Sequence, residues 1–268
     1  MSWVNMLLAI DIGNTNSVFG LYDSESLVAD WRMATDHAKM SDEWAASLIA
    51  LMGHRGYSLA DIDAAICSSV VPPVTTAIRE MVEEYLHIPL LLVEPGIKTG
   101  VKVNVDNPRE VGADRIVNTL AAHTRYGGPA IVIDFGTATT FDVVSPDGEY
   151  LGGAIAPGLI VASDALFRLT SQLRRIELVA PRSSIGRNTV HAMQSGVVWG
   201  YTSLVEGMVA RIKRDMGEAG ATAKVIGTGG LARLIAANTD CMDIVDINLT
   251  LDGLRIIHEL NKDGTQKP

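Results

Sequence analysis

Two short stretches combine an acid, a glycine and small hydroxyl or amide side chains in one arrangement. Asp11-Ile12-Gly13-Asn14-Thr15-Asn16 follows the apolar run Met6–Ile10, and Asp134-Phe135-Gly136-Thr137-Ala138-Thr139 follows Ala130–Ile133. Backbone amides in such turns can donate hydrogen bonds to phosphate oxygens, as can Asn14, Thr15, Asn16 and Ser17 in the first and Thr137 and Thr139 in the second. Gly13 permits positive φ and close approach of a ligand. A carboxylate repels phosphate, so Asp11 suits a hydrated Mg²⁺ that the phosphates share. The chemistry such a turn could do is to bind phosphate groups and the cation they share. One copy alone reads better as an Asx-rich hairpin turn. Two copies facing each other would clamp a nucleotide's phosphates and cations from two sides.

A proton acceptor is offered further along. Asn107-Pro108-Arg109-Glu110 predicts a helix start with an Asn cap, Pro at the first helical position and Glu at the third. The helix runs to Tyr126 and ends at Gly127-Gly128. Ala113, Ile116, Val117, Leu120 and Ala121 form its apolar stripe, Asp114 borders the stripe and Arg115 points away from it. A carboxylate at the edge of a buried face has a raised pKa and can accept a proton near neutrality. Taken alone, both charges read more simply as solvated first-turn residues. Lys224–Gly230, at a strand-to-helix turn, could hug a purine or ribose. Its Gly-x-Gly-x-x-Ala match is no dinucleotide fingerprint, because too little chain follows Asp246 to build that sheet.

Other chemistries are excluded. No Gly-Lys dipeptide exists, so there is no P-loop. Asp134-Phe135-Gly136 lacks the other loops of a protein kinase. The six histidines and two cysteines show no zinc spacing, and His191 reads as a structural or surface group. With 22 basic against 31 acidic residues and a net charge of −9, no broad footprint for nucleic acid or anionic lipid exists. Cys67 and Cys241 read as buried thiols of a reducing cytosol. The apolar run from Trp3 to Ile10 is too short to span a bilayer, so a soluble cytoplasmic protein is expected.

The positioning elements follow from the pattern. Strands are predicted at Met6–Ile10, Ser17–Tyr22, Leu27–Met33, Ala64–Val71 and Leu90–Val93, with helices at Ser41–Arg55, capped by Ser41, and at Val74–Leu86. In the second half, strands fall at Ala130–Ile133, Thr140–Val144, Ala223–Ile226 and Ile244–Val245, and helices at Leu159–Phe167, Asn188–Met216, Gly230–Ala237 and Leu251–Leu260, before a polar tail. Mixed elements in this order predict α/β with a central sheet. The two acid–glycine turns lie 123 residues apart, near half the 268-residue chain, which suggests two similar domains. In Asn188–Met216 the stripe Val190, Met193, Val197, Tyr201, Leu204 and Met208 reads as core or as a subunit interface.

Asp11–Val18 (DIGNTNSV), Pro95–Gly100 (PGIKTG), Asn107–Arg115 (NPREVGADR), Asp134–Thr140 (DFGTATT), Gly152–Gly158 (GGAIAPG) and Thr228–Gly230 (TGG) occur in that order. As an ordered set they strongly resemble the type III pantothenate kinases. The resemblance implies the fold of the acetate- and sugar-kinase, heat-shock chaperone and actin superfamily: two ribonuclease-H-like domains, mixed sheets flanked by helices, 1–118 and 119–268, with the active site in the interdomain cleft. It implies ATP-dependent phosphorylation of pantothenate, the first step of coenzyme A biosynthesis. Asp11, Ile12, Gly13, Asn14, Thr15, Asn16, Ser17 and Val18 would line the ATP phosphates with Thr137 opposing, and Thr228, Gly229 and Gly230 would also contact ATP. Asp134 would bind potassium or ammonium. Gly112, Ala113, Asp114 and Arg115 would contact pantothenate, with Asp114 as general base and Thr189 as a further contact. A homodimer is implied. Val105 stands where many members carry a pantothenate-contacting tyrosine. Another small-molecule kinase of the superfamily, or a non-catalytic regulatory protein on the scaffold, are the alternatives.

Overall fold

A computed structural model describes residues 6–170 and 173–262. The start of the apolar run at Trp3 and the tail beyond Lys262 lie outside the described residues. The chain forms two compact units. The first comprises the described residues of Met1–Gly100, Asn107–Ala121 and Thr250–Pro268, and the second Val101–Asp106 and Ala122–Leu249. The last helix thus belongs with the first unit, whereas a single division after 118 would assign it to the second.

In the first unit β1 (Met6–Ile12), β2 (Asn16–Asp23), β3 (Ser26–Ala34), α1 (Ser41–Gly53), β4 (Ile62–Ser69), α2 (Pro72–Met81) and β5 (Leu90–Leu92) follow in sequence. The sheet order is β3-β2-β1-β4-β5, with β2 antiparallel and β4 parallel to the central β1. A central strand flanked on both sides must be apolar on both faces, and Leu7, Leu8, Ala9, Ile10 and Ile12 are all buried. Leu8, Ile10, Ile12, Phe19 and Leu21 form one core with Trp44 and Leu48 of α1 and Ile78 of α2. Trp44 is fully buried, and truncating it to Ala would cost about 3–5 kcal/mol. Against the other face lies α9 (Leu249–Asn261): Tyr22 donates to Asp252 at 2.7 Å, and the missing Cβ of Gly20 makes room for Leu251 and for Leu27 of β3. α3 (Ala113–Tyr126) packs on α9, since a Cβ on Gly253 would collide with the Val117 carbonyl.

The second unit repeats the plan with β6 (Ala130–Phe135), β7 (Ala138–Val144), β8 (Tyr150–Pro157), α4 (Leu159–Leu169), α5 (Thr189–Gln194), α6 (Gly200–Asp215), α7 (Glu218–Thr222), β9 (Lys224–Gly229), α8 (Ala232–Ala236) and β10 (Ile244–Val245). Its sheet order is β10-β9-β6-β7-β8. Again the hairpin neighbour is antiparallel and the other neighbour parallel to the central strand. The internal repeat is therefore a repeat of topology, with Asp11 and Asp134 near the ends of the two central strands. Among the described residues no helix is long and apolar enough to cross a membrane.

Several expectations are corrected. The helix expected from Asn107 is a single 3₁₀ turn at Pro108–Glu110, interrupted at Val111-Gly112 before α3 begins. The Asn107 amide is drawn to Glu110 at 2.6 Å instead of capping the backbone. Ser41 is the first helical residue and Met40 the cap, because Glu43 reaches back to the Met40 N–H at 2.9 Å. The helices expected at 74–86 and 188–216 each contain a wider π turn, at Val82–Leu86 and Ser195–Trp199. The stripe of the latter is core at Met193, Val197 and Tyr201, while Val190 and Leu204 are exposed. β8, not expected as a strand, completes its sheet as an edge. Cys67 is buried, but Cys241 only half so.

Candidate active site

In the first unit the site is built where β1 ends. The parallel register of β1 and β4 sets Ser68 beside Asp11, and the Ser68 hydroxyl donates to Asp11 Oδ1 at 2.5 Å. The turn beyond is fastened by Thr35 on the chain leaving β3. Its hydroxyl donates to the Gly13 carbonyl at 2.7 Å, its N–H donates to the Thr15 carbonyl at 2.9 Å, and its hydroxyl pairs with that of Ser17 at 2.9 Å. Asn14, Thr15 and Asn16 remain exposed, whereas Ile12 and Ser17 are buried and Gly13 and Val18 half-buried. Gly13 does not take positive φ. Its lack of a side chain serves a tight approach, since a Cβ there would sit 3.2 Å from the Asn16 carbonyl oxygen. The Ser17 hydroxyl, expected to be open to phosphate, is thus shared with Thr35 inside the fold.

The same unit holds Gly112, Ala113, Asp114 and Arg115, all half-buried at the start of α3. Arg115, expected to point away from the apolar face, is enclosed to a similar degree as Asp114. The Asp114 carboxyl folds back over Gly112, where any Cβ would collide with Oδ1, and that oxygen accepts the Arg115 N–H at 2.9 Å. Burial raises the Asp114 pKa, partly opposed by this N–H and by the Arg115 charge. Burial also pushes Asp11 up to about 6; the Ser68 bond opposes this, the nearby charge of Asp114 adds to it, and Arg32 of β3 opposes it. Two carboxyls within electrostatic reach in a dry setting do not both ionise freely without a cation or a proton between them.

In the second unit Asp134 is half-buried near the end of β6, directly across from Thr228 of β9. Gly229 adopts φ 86°, and a Cβ there would collide with Asp134 Oδ1. Only glycine lets the β9 backbone pass so close to that carboxyl. Thr137 is exposed in the turn and its carbonyl accepts the Gly158 N–H at 3.0 Å. Thr139, expected as a phosphate donor, is buried and its hydroxyl accepts from Tyr201 at 2.6 Å. Gly230 is exposed and Thr228 buried. Val105 is half-buried, 3.6 Å from where a Gly152 Cβ would stand. Thr189 is the exposed first residue of α5, which Asn188 caps by accepting the His191 N–H at 2.9 Å.

The structure therefore brings the Asp11 turn together with Gly112–Arg115, and the Asp134 turn together with Thr228–Gly230; among the described residues neither Thr189 nor Val105 hydrogen-bonds another predicted residue of its unit. Arg32, Thr35 and Ser68 escaped the sequence reading. Among the described residues no group of three His, Cys, Asp or Glu side chains could hold a metal ion alone. A lone carboxylate with one oxygen unbonded suits Mg²⁺, which keeps its waters and shares substrate phosphates.

Residues 7–211 match the family described as type III pantothenate kinase. The type III pantothenate kinase of Roseiflexus sp. (strain RS-1) is 51% identical over 257 residues, 96% of this chain and 100% of the relative. That of Geobacillus sp. (strain WCH70) is 49% identical over 261 residues, 97% of this chain and 100% of the relative. Among solved structures, component A of the (R)-2-hydroxyglutaryl-CoA dehydratase of Acidaminococcus fermentans has a TM-score of 0.56 at 14% identity, covering 97% of this chain and 100% of that one. That likeness concerns the fold alone.

Proposed function

Because the chain belongs to the type III pantothenate kinase family and phosphorylates pantothenate with ATP, opening coenzyme A biosynthesis, we propose that Asp114 is the general base of the transfer. The observation that carries this reading is its carboxyl, folded over Gly112, raised by burial and within electrostatic reach of Asp11. Its carboxylate accepts the proton of pantothenate's primary hydroxyl as that oxygen attacks the γ-phosphorus. The bond to the β–γ bridging oxygen breaks and ADP leaves. Asp11 would hold a hydrated Mg²⁺ shared with the phosphates, which when bound would offset their charge. The exposed amides and side chains of Asn14, Thr15 and Asn16 bind phosphate oxygens, and Thr137, Thr228, Gly229 and Gly230 complete the ATP contacts. Asp134 holds a monovalent cation, potassium or ammonium. Gly112, Ala113, Arg115 and Thr189 contact pantothenate. Val105 contributes no hydroxyl, which raises the KM for pantothenate on the order of tenfold relative to a tyrosine. The protein works in the cytoplasm, and it pairs as a homodimer, the pairing supported by apolar side chains exposed on the second unit.

Pantothenate-dependent ADP release tests the reading. Asp114→Asn should lower kcat by roughly 10²–10⁴ while ATP still binds. Near-normal turnover would remove Asp114 from the role. Replacing potassium by sodium should slow the wild type, and equal rates in both would remove the monovalent cation from Asp134.

A further inference from the structure

Ser68 lies outside every motif that marks the site, yet it is the one side chain among the described residues that hydrogen-bonds the Asp11 carboxyl. It is 1% exposed, so its hydroxyl has no water to turn to. The parallel pairing of β1 with β4 fixes it directly beside Asp11, the register running on to Ile12 and Ser69. The next residue is held as firmly: Ser69 accepts from the Val71 N–H at 3.1 Å and from the Thr75 hydroxyl at 2.6 Å, which ties the end of β4 to α2. The donor is thus set on a rigid strand whose end is anchored. A carboxylate oxygen engaged this way fixes the rotation of the whole carboxyl group and leaves the other oxygen to face outward.

We propose that Ser68 is a positioning residue for phosphoryl transfer: it clamps Asp11 Oδ1 so that Oδ2 is presented in one orientation to the magnesium carried by ATP. This rests on the reading of Asp11 given above. The second unit has a hydroxyl in the equivalent place, Thr228 across from Asp134. A strand hydroxyl beside the acid is therefore part of the repeated plan. Ser68 touches neither substrate nor metal; it acts through Asp11.

The test compares the ATP dissociation constant of the full chain with Mg²⁺ and with EDTA, for wild type, Ser68→Ala, Asp11→Asn and the double variant. Wild type should gain affinity from Mg²⁺. Asp11→Asn should lose most of that gain, Ser68→Ala should reduce it by roughly tenfold, the worth of one charge-assisted hydrogen bond, and the double variant should match Asp11→Asn. The KM for pantothenate should be unchanged in Ser68→Ala. A Ser68→Ala protein with the wild-type Mg²⁺ gain, beside a shifted Asp11→Asn, overturns the positioning role alone. So does a Ser68→Ala loss that persists undiminished in the Asp11→Asn background, since that is a structural effect. An unshifted Asp11→Asn overturns the reading of Asp11 and the clamp with it. If Ser68→Ala does not fold, Ser68→Cys, close in volume but a weak donor, is read in the same way.

Discussion

Asp11 is held in the fold with its pKa pushed up to about 6, burial being the largest cause. A carboxyl raised above its unfolded value favours the protonated fold. Its contribution to stability is therefore present at pH below the ordinary value near 4 and is lost as pH rises through 6. At pH 8 the ionised group is a cost to the fold. Asp11→Asn should then unfold at a temperature a few degrees above wild type at pH 8, on the order of 1–2 kcal/mol after allowing for partial exposure. The gain should fade towards pH 4.5. Thermal melts at the two pH values decide it, and an equal difference at both would show that Asp11 is not raised. The two acids themselves were legible, because an acid ending an apolar run and an acid bordering a helical stripe are conspicuous. Ser68, Thr35 and Arg32 were not. Ser68 meets Asp11 across 57 residues and Thr35 meets Gly13 across 22, and only strand pairing brings them there. The positive φ that Gly13 permits is not used: the turn needs the close approach of the Asn16 carbonyl, not a left-handed residue.

Where an element begins matters as much as its type. Starting α3 at Ala113, after the break at Val111-Gly112, puts Asp114 in the first turn and lets its carboxyl fold over Gly112. Gly112→Ala would set a methyl where Oδ1 lies. The obstacle is the free end of a side chain, so the backbone need not move; the carboxyl swings away and gives up the Arg115 N–H. If Asp114 is the proposed base, turnover should fall at least tenfold, as misplacement of a reacting group does, with unfolding free energy within about 1 kcal/mol of wild type. Gly229→Ala is the contrast. There φ is 86° and the Phe135 backbone also stands in the way, so it should cost about 1–3 kcal/mol of stability. Urea unfolding alongside turnover separates the two, and a Gly112→Ala enzyme with normal kcat would free Asp114 from its dependence on that glycine. Hydrophobic period placed the strands and helices within a few residues, because it reports which face is buried. It missed the break before α3 and the π turns at Val82–Leu86 and Ser195–Trp199, because local changes in hydrogen-bond pattern barely alter that period. β8 escaped because its burial alternates only between exposed and half-buried along most of its length.

At the scale of the molecule, two sheets share one strand order about their central strands, and the sequence disclosed this through two six-residue turns half a chain apart. The assignment of α9 to the first unit was not legible, since it depends on Tyr22–Asp252 and Gly20–Leu251 contacts more than 200 residues apart in sequence. The overall charge of −9 makes ATP binding depend on local cations and amides rather than on a general attraction. The second unit also leaves apolar side chains in water. On α4, Ile160 is 53%, Phe167 38% and Leu169 84% exposed. A helix that leaves such residues open is costly for a solitary chain, and a second copy of this chain is the proposed cover. Sedimentation at about 10 μM should give twice the mass of the chain, and Ile160→Asp with Phe167→Asp should halve it by placing carboxylates in an apolar contact. Wild type sedimenting as a single chain would rule out the homodimer. A double variant that stays dimeric would move the interface off α4, and the exposed Val190 and Leu204 of α5 and α6 would be the next positions to charge.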